Sequence, residues 1–264
     1  MGRVIFIGAG PGSADLITVR GAQRLAEADV VLFDALTDTA LRVYAPQAEW
    51  IDVGKRGFSG VRHAPHFPAC DSTGQDTINA LLVRHAGDDK VVVRLKGGDP
   101  SVFGRLEEEL EALAQAGIAC EVVPGVTAAI AAAATTQRPL TRRGTGRSVT
   151  LATAMTREGR LEAARRTDTE VYYMAGKQLA ALARRLLEAG WPAGAPVSVV
   201  SRAGWPDQIQ SDHAVATLDR ATVLHAGRPT IVTVGAGAAP LAAASPKIQG
   251  SACRPGSARH HQPS

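Results

Sequence analysis

The sequence predicts an α/β protein built from two α/β domains. Three observations carry this. Short β-branched runs alternate with Ala-, Leu- and Glu-rich helical stretches, the pattern of βαβ units. Several of these runs end in a glycine turn or an acidic residue, and in open α/β sheets ligands sit at such strand ends. The alternation starts afresh after Pro139 to Gly146, P-L-T-R-R-G-T-G, which reads as a linker. With 264 residues, the chain also exceeds a usual single domain of about 100–200. The domains are expected at 1–141 and 142–245. Residues 246–264 are polar, with Pro, Gly and His-His, a composition that predicts a disordered tail.

Arg3 to Gly12, R-V-I-F-I-G-A-G-P-G, is a strand running into a glycine turn. It begins like a dinucleotide fingerprint. Pro11, however, removes a backbone N–H where a pyrophosphate needs donors, which argues against a Rossmann site. Ser13, Ala14 and Asp15 lead into a helix over 16–28. Asp29 to Asp34 is a second strand, and Asp34 at its end is either a cap for the next helix or a pocket carboxylate. Glu49 to Arg56 is a third strand ending in the cations Lys55 and Arg56. Gly57 to Thr73 is a long loop carrying His63, His66 and Cys70, and that spacing fits no standard metal site. Gln75 to His85 reads as a helix.

Val91 to Arg105, V-V-V-R-L-K-G-G-D-P-S-V-F-G-R, is strand, glycine turn and helix entry, with a carboxylate in the turn. Gly97 and Gly98 permit a sharp turn and a close approach by a ligand. Pro100 pushes Asp99 towards an extended conformation. A helix over 106–116 follows, then a fifth strand, Ala119 to Gly125. The Ala-rich stretch 126–136 should be a closely packed helix. In the second half, strands are expected near 148–155, 170–175, 197–202 and 230–235, with a helix over 178–189. Gln208 to His213 adds an antiparallel strand.

Composition narrows the function classes. Apolar residues make up 45% and charged residues 20%, which fits a folded globular chain. Aromatic content is only 4%, so Ala, Val and Leu must fill most of the core. The formal charge is +4, from 29 Lys plus Arg against 25 Asp plus Glu, with no dense basic run of the nucleic-acid-binding kind. An anionic small molecule is the better partner for the internal arginines. Three scattered cysteines make neither a disulfide framework nor a CxxC site. No apolar run approaches the ~18 residues of a membrane span, and no signal-peptide core is visible. A cytoplasmic protein is expected.

Several blocks together resemble the tetrapyrrole methylase family. These are G-A-G-P-G at Gly8–Gly12, D-V-V-L-F-D ending at Asp34, V-G-K-R at Val53–Arg56 and the G-G-D-P-S-V-F-G-R block to Arg105. To them are added V-V-P-G-V-T-A at Val122–Ala128, P-L-T-R-R-G at Pro139–Gly144, Y-Y-M at Tyr172–Met174 and R-P-T-I-V-T-V-G to Gly235. The resemblance implies two domains with a cofactor cleft between them, a non-Rossmann fold that uses S-adenosylmethionine, commonly as a homodimer. By motif, the implied cofactor residues are Pro11, Gly97, Gly98, Asp99, Val102, Thr127, Ala128, Met174 and Ala203. The resemblance further implies methylation of uroporphyrinogen III, an anionic tetrapyrrole, at carbons two and seven to give precorrin-2. Asp34 is then the proton acceptor and Lys55 a proton donor, while Arg105, Glu108 and Arg143 bind or orient the substrate. No metal is implied.

This chain departs from the family pattern in places. F-D-A-L-T stands where Y-D-R-L-V is usual, so an arginine beside Asp34 is missing. P-L-T-R-R-G replaces P-L-T-H-R-G, and S-R-A-G stands for E-N-G near Ala203. Three other readings stand beside the main one. They are a sister enzyme on another corrin precursor, a dinucleotide-dependent oxidoreductase, and a non-catalytic tetrapyrrole-binding protein of the same fold.

Overall fold

In the computed structural model, residues 2–54, 74–155, 161, 163, 165 and 167–241 are described. The β-branched runs of the first half become five parallel strands: β1 (Arg3–Gly8), β2 (Val30–Phe33), β3 (Glu49–Asp52), β4 (Val91–Lys96) and β5 (Ala119–Val123). Their order in the sheet is β3-β2-β4-β1-β5. The β1–β4 register runs from Arg3↔Val91 to Gly8↔Lys96, so the two glycine turns leave the sheet side by side. From β1 the chain winds towards one edge, and from β4 it crosses to the other. The winding direction therefore reverses between these neighbours, where a doubly wound sheet opens its crevice.

A parallel sheet is covered on both faces, so its strands read as continuous apolar runs. Alternate residues of β1 serve the two faces. Ile5 and Ile7 pack with Leu25, Val31, Val93 and Leu95 on the side of α1 (Val19–Leu25). Val4 and Phe6 pack with Leu82, Val92 and Leu113 on the side of α2 (Gln75–Gly87) and α3 (Leu106–Gln115).

The second half forms a mixed sheet, in the order β6-β7-β10-β8-β9. Its strands are β6 (Val149–Thr153), β7 (Thr169–Tyr173), β8 (Pro196–Ser201), β9 (Ile209–Ala214) and β10 (Thr230–Gly235). Only β6 and β7 pair in parallel. The antiparallel strand expected near 208–213 is β9, which pairs with β8 from Pro196↔Ala214 to Ser201↔Ile209. The Ala-rich helix α4 (Ala128–Thr135) belongs by sequence to the first half. It nevertheless lays Ala129, Ala131 and Ala132 against Val171, Tyr173, Val200 and Ile231 of the second sheet. Helix α5 (Leu179–Glu188) covers the other face with Leu179, Leu182, Ala183 and Leu186, about 1.5–3 kcal/mol for each fully buried Leu.

Element ends differ from the expected ones for identifiable reasons. Helix α1 starts at Val19 because the Thr18 hydroxyl caps it, accepting the Gly21 N–H at 3.0 Å. Residues Ala14–Leu16 before it form a 3₁₀ turn. Strand β3 stops at Asp52, whose Oδ1 accepts the Gly54 N–H at 2.8 Å and turns the chain out of the sheet. Two further 3₁₀ stretches, Thr39–Tyr44 and Val215–Thr222, were not expected; the second buries Val215, Leu218 and Ala221 at three-residue spacing. The loop 57–73, with His63, His66 and Cys70, lies outside the described residues, as do Lys55, Arg56 and the tail 246–264.

A buried polar chain stitches the second sheet. His225, with no exposed surface, bonds Ser201 Oγ through Nδ1 at 2.6 Å and Ser211 Oγ through Nε2 at 2.8 Å. Ser211 also bonds His213, and Ser201 bonds Thr230. Burial, then repulsion from His213 and Arg228, lowers the His225 pKa to about 4. An unfolded histidine titrates near about 6.5. Between these values unfolding takes up a proton, so the stability from this group is complete above the unfolded value and is lost as pH falls through the window. Urea unfolding should therefore show a loss of about 2–3 kcal/mol between pH 7 and pH 4 from this group. His225→Gln should flatten the slope between pH 7 and 5, and an unchanged slope in the variant would contradict this assignment.

Candidate active site

The site is built where the carboxyl ends of β1, β4 and β5 meet. Gly98 has φ of +72°, a left-handed conformation that a side chain disfavours. It exchanges backbone hydrogen bonds with Gly10, at 2.7 Å and 3.3 Å, which ties the β1 and β4 turns together. Gly8, Gly98 and Gly125 touch backbone to backbone. A Cβ on Gly125 would fall 2.3 Å from the Gly98 carbonyl oxygen, and one on Gly8 would fall 2.5 Å from the Gly125 Cα. The outer side of this turn is open at Gly98, where a Cβ would meet nothing nearer than 3.8 Å; at Gly97 a Cβ would press on the Leu36 side chain at 3.3 Å. Gly97 and Gly98 thus form a half-buried ledge with room above Gly98.

Asp99 locks the ledge. Its Oδ1 accepts the Ser101 N–H at 2.8 Å and its Oδ2 accepts the Gly125 N–H at 2.9 Å. The loop carrying it holds two further left-handed residues, Phe103 (φ 53°) and Arg105 (φ 55°). Such conformations cost of order 1–3 kcal/mol each and gather at ligand-handling loops. Arg105 forks Glu108 through Nε at 2.9 Å and Nη2 at 2.6 Å, an exposed bidentate pair at the start of α3.

The second sheet closes over this edge. Trp205 Nε1 donates to the Pro11 carbonyl at 3.0 Å, and the Ser13 N–H donates to the Gly204 carbonyl at 3.0 Å. Tyr173, at the end of β7, bonds the Thr127 hydroxyl at 2.7 Å and stacks at a tilt on Phe103, ring centroids 5.0 Å apart. Burial raises the Tyr173 phenol above its ordinary pKa, although the Thr127 bond works the other way. Val102, Ala128 and Ala203 share one apolar cluster. Met174 follows Tyr173 in a left-handed conformation and is 37% exposed. Pro11, Thr127, Ala128 and Ala203 therefore gather around the ledge of Gly97, Gly98 and Asp99, although the chain separates them by up to 192 positions; Met174 lies one residue beyond Tyr173.

Asp34 ends β2 on the same edge, about one-third exposed. Its Oδ1 accepts from Arg94 Nη2 at 2.6 Å, while Oδ2 accepts no hydrogen bond from a described residue. Arg94 and Lys96 stand two apart on β4, on one face, and both are almost wholly buried. Between them lies Glu109 of α3, fully buried, which accepts from Arg94 Nε at 3.0 Å and from Lys96 Nζ at 2.5 Å. Burial is the largest influence on the Arg94 guanidinium and disfavours its charge. Asp34 and Glu109 together outweigh it and hold the Arg94 pKa above the ordinary value. Burial, then the Arg94 charge, lowers the Lys96 ammonium against the pull of Glu109. The cation paired with Asp34 is thus Arg94 of the neighbouring strand. Sequence reading missed this cluster because Arg94 and Lys96 look like solvated ends of an apolar strand. Their two-residue spacing beside Glu109 was the available signal.

Lys55 lies outside the described residues, but Gly54 before it packs on Ala35, the residue after Asp34. A Cβ on Gly54 would fall 2.2 Å from the Ala35 nitrogen. Arg143 is exposed in the turn closed by the Arg142–Gly146 bridge and has no ion-pair or hydrogen-bond partner among the described residues. A cavity of about 490 Å³ opens at the opposite end of the second sheet, lined by Arg142, Arg165, Asp168 and Trp191 among others. It holds none of the candidate residues, and the convergence of the glycine turns marks the site instead.

The family description "Tetrapyrrole (Corrin/Porphyrin) Methylases" matches residues 3–221. The chain belongs to that family. A relative named uroporphyrinogen-III C-methyltransferase, from Pseudomonas aeruginosa, is 39% identical over 243 residues, covering 89% of this chain and 93% of its own. The crystal structure of uroporphyrin-III C-methyltransferase from Thermus thermophilus, complexed with S-adenosylhomocysteine, superposes with a TM-score of 0.73 at 33% identity. It covers 89% of this chain and 97% of its own. The X-ray structure of cobalt precorrin-4 methyltransferase, a cobalamin biosynthetic enzyme, superposes with a TM-score of 0.74 at 28% identity, covering 90% and 96%.

Hydrogen bonds to a charged acceptor contribute about 1.5–3 kcal/mol each. Asp99→Ala should therefore destabilise the protein by ~2–3 kcal/mol in urea and speed amide exchange at Gly125 and Ser101. Wild-type protection at both amides would remove Asp99 from its locking role.

Proposed function

We propose that this chain is a uroporphyrinogen-III C-methyltransferase, carrying methyl groups from S-adenosylmethionine to carbons two and seven to give precorrin-2, for sirohaem or cobalamin biosynthesis. One observation carries the reading. The half-anchored Asp34 carboxylate, the Gly97–Gly98 ledge, open at Gly98, and the Arg105–Glu108 pair lie along one strand edge of a tetrapyrrole methylase. The residues present fit the cofactor. The ledge admits a ligand against bare backbone, and Asp99 and Thr127 offer polar groups to its hydroxyls and amine. Val102, Ala128, Ala203 and the soft, exposed Met174 offer apolar walls. With Pro11, Gly97 and Gly98 these are the residues that would hold it. When bound, S-adenosylmethionine supplies an electrophilic sulfonium methyl to the electron-rich pyrrole carbon.

The chain's own residues do the rest. The ledge and the second sheet align the reactants and exclude water. Asp34, held through Oδ1 by Arg94, presents Oδ2 to take the proton that leaves the methylated macrocycle. Lys55 is the proton donor. Arg105 with Glu108, and the exposed Arg143, orient the carboxylates of the anionic substrate, for which forked guanidinium contacts are apt. The reading extends to two domains, 1–141 and 142–245, and to a cytoplasmic homodimer. Among the described residues no helix is long and apolar enough to cross a membrane. A sister methyltransferase on another corrin precursor is the second reading, favoured by the 0.74 TM-score of the precorrin-4 enzyme; the higher identity of the uroporphyrinogen relative, 39% against 28%, favours the first.

Mass spectrometry of purified protein with uroporphyrinogen III and S-adenosylmethionine should find product heavier by two methyl groups. Methylation of a later corrin precursor alone would favour the sister enzyme. Asp34→Asn should keep cofactor affinity and lose turnover by about 10²–10⁴. Arg143→Ala should mainly raise KM, in a salt-sensitive way. Single-turnover methyl transfer from labelled S-adenosylmethionine separates the two roles: wild-type transfer by Asp34→Asn at saturating substrate removes Asp34 as the base.

A further inference from the structure

Glu109 occupies an expensive position. Three charged groups, Arg94, Lys96 and Glu109, lie between the sheet and α3 with at most 3% of their side chains exposed. Removing each such ion from water costs several kcal/mol, and apolar side chains of similar volume fill such a place with equal or greater stability. Stability alone does not call for this cluster. Asp34, 32% exposed, links the cluster to solvent.

The guanidinium of Arg94 is fixed on every side. Nε donates to Glu109 Oε1 at 3.0 Å, Nη1 to the Leu32 and Leu95 carbonyls at 3.3 and 3.2 Å, and Nη2 to Asp34 Oδ1 at 2.6 Å. The two carbonyls belong to the frame of β2 and β4, so the remaining adjustable contact is Glu109. That carboxylate is itself held by Lys96 at 2.5 Å, with Gln75 Nε2 at 3.4 Å. The Lys96 stem runs beneath the loop before α3, where a Cβ on Gly104 would lie 3.2 Å from its Cε. Neighbouring Glu108 turns outward to Arg105 while Glu109 turns inward. The first turn of α3 thus bears on both the substrate-facing pair and the anchor of Asp34.

We propose that Glu109 is a positioning residue for methyl transfer: it clamps Arg94 and, through Arg94, sets the direction in which Asp34 presents Oδ2. This rests on the reading of Asp34 as the proton acceptor. Glu109 touches no reacting atom; its effect passes through one guanidinium. A small misplacement of a catalytic group costs up to about 10²-fold in rate. Substrate and cofactor affinity depend on other residues and stay as they are.

The test is a set of variants assayed for kcat, KM for uroporphyrinogen III and affinity for S-adenosylhomocysteine. Glu109→Gln should lower kcat by roughly 10²-fold with KM and cofactor affinity unchanged. Arg94→Lys keeps the charge but cannot bridge two carboxylates and two carbonyls, so it should behave alike. The double variant Asp34→Asn/Glu109→Gln should be no slower than Asp34→Asn alone, because residues acting as one unit are not additive. Glu109→Gln leaves a surplus buried cation, so Glu109→Gln/Lys96→Met, which restores charge balance, is measured beside it, with cofactor binding as the criterion of folding. Wild-type kcat in either folded Glu109 variant, or a double variant slower by the product of the two single effects, overturns the proposal. Failure of the underlying reading is seen separately, as wild-type turnover in Asp34→Asn.

Discussion

The backbone contact of Gly8, Gly98 and Gly125 is the constraint on which the rest depends. Strand ends in a parallel sheet are normally kept apart by the side chains of their turns. Here a Cβ on Gly8 or Gly125 would lie 2.3–2.5 Å from neighbouring backbone, so the three turns meet only because these two residues lack one, while Gly98 supplies the left-handed backbone that a side chain disfavours. The contact brings the Asp99 carboxylate within reach of the Gly125 N–H. It leaves the outer side of Gly98 bare. The same absence of side chains that lets the turns pack also lets a ligand lie against them.

Beneath this ledge the protein keeps charge where an apolar core would be cheaper. Asp34, Arg94, Glu109 and Lys96 carry two charges of each sign, and the pairs sit at 2.5–3.0 Å. In a water-excluded site the mutual attraction offsets desolvation only when every partner is present. The cluster is therefore stable as a set and intolerant of losing one member. Such a set suits a carboxylate that must hold its position while one oxygen stays open.

The two sheets are coupled by small residues and single polar contacts rather than by bulky apolar packing. Helix α4 presents alanines to the second sheet, so the backbones come close and the Thr127 hydroxyl at its start reaches Tyr173. Trp205 spans the other end to the Pro11 carbonyl. Low aromatic content, 4% of the chain, gives the few aromatic rings at this junction, Phe103, Tyr173 and Trp205, a defined place.

By itself the sequence determined the alternation of strands and helices, the glycine turns and the family blocks. These are local: β-branched runs favour buried parallel strands, and glycine and proline mark turns wherever they fall. That was enough to point to Gly97, Gly98, Asp99, Asp34 and Arg105. Other features needed the fold. The pairing of β2 with β4 brings Arg94 to Asp34 across 60 positions, and the docking of α3 brings Glu109 to Arg94 and Lys96. The closure of the second sheet sets Tyr173 and Ala203 beside residues of the first half. No local pattern encodes these, because charge partners buried in a sheet are chosen by strand order and register, and both are settled only when the whole core packs.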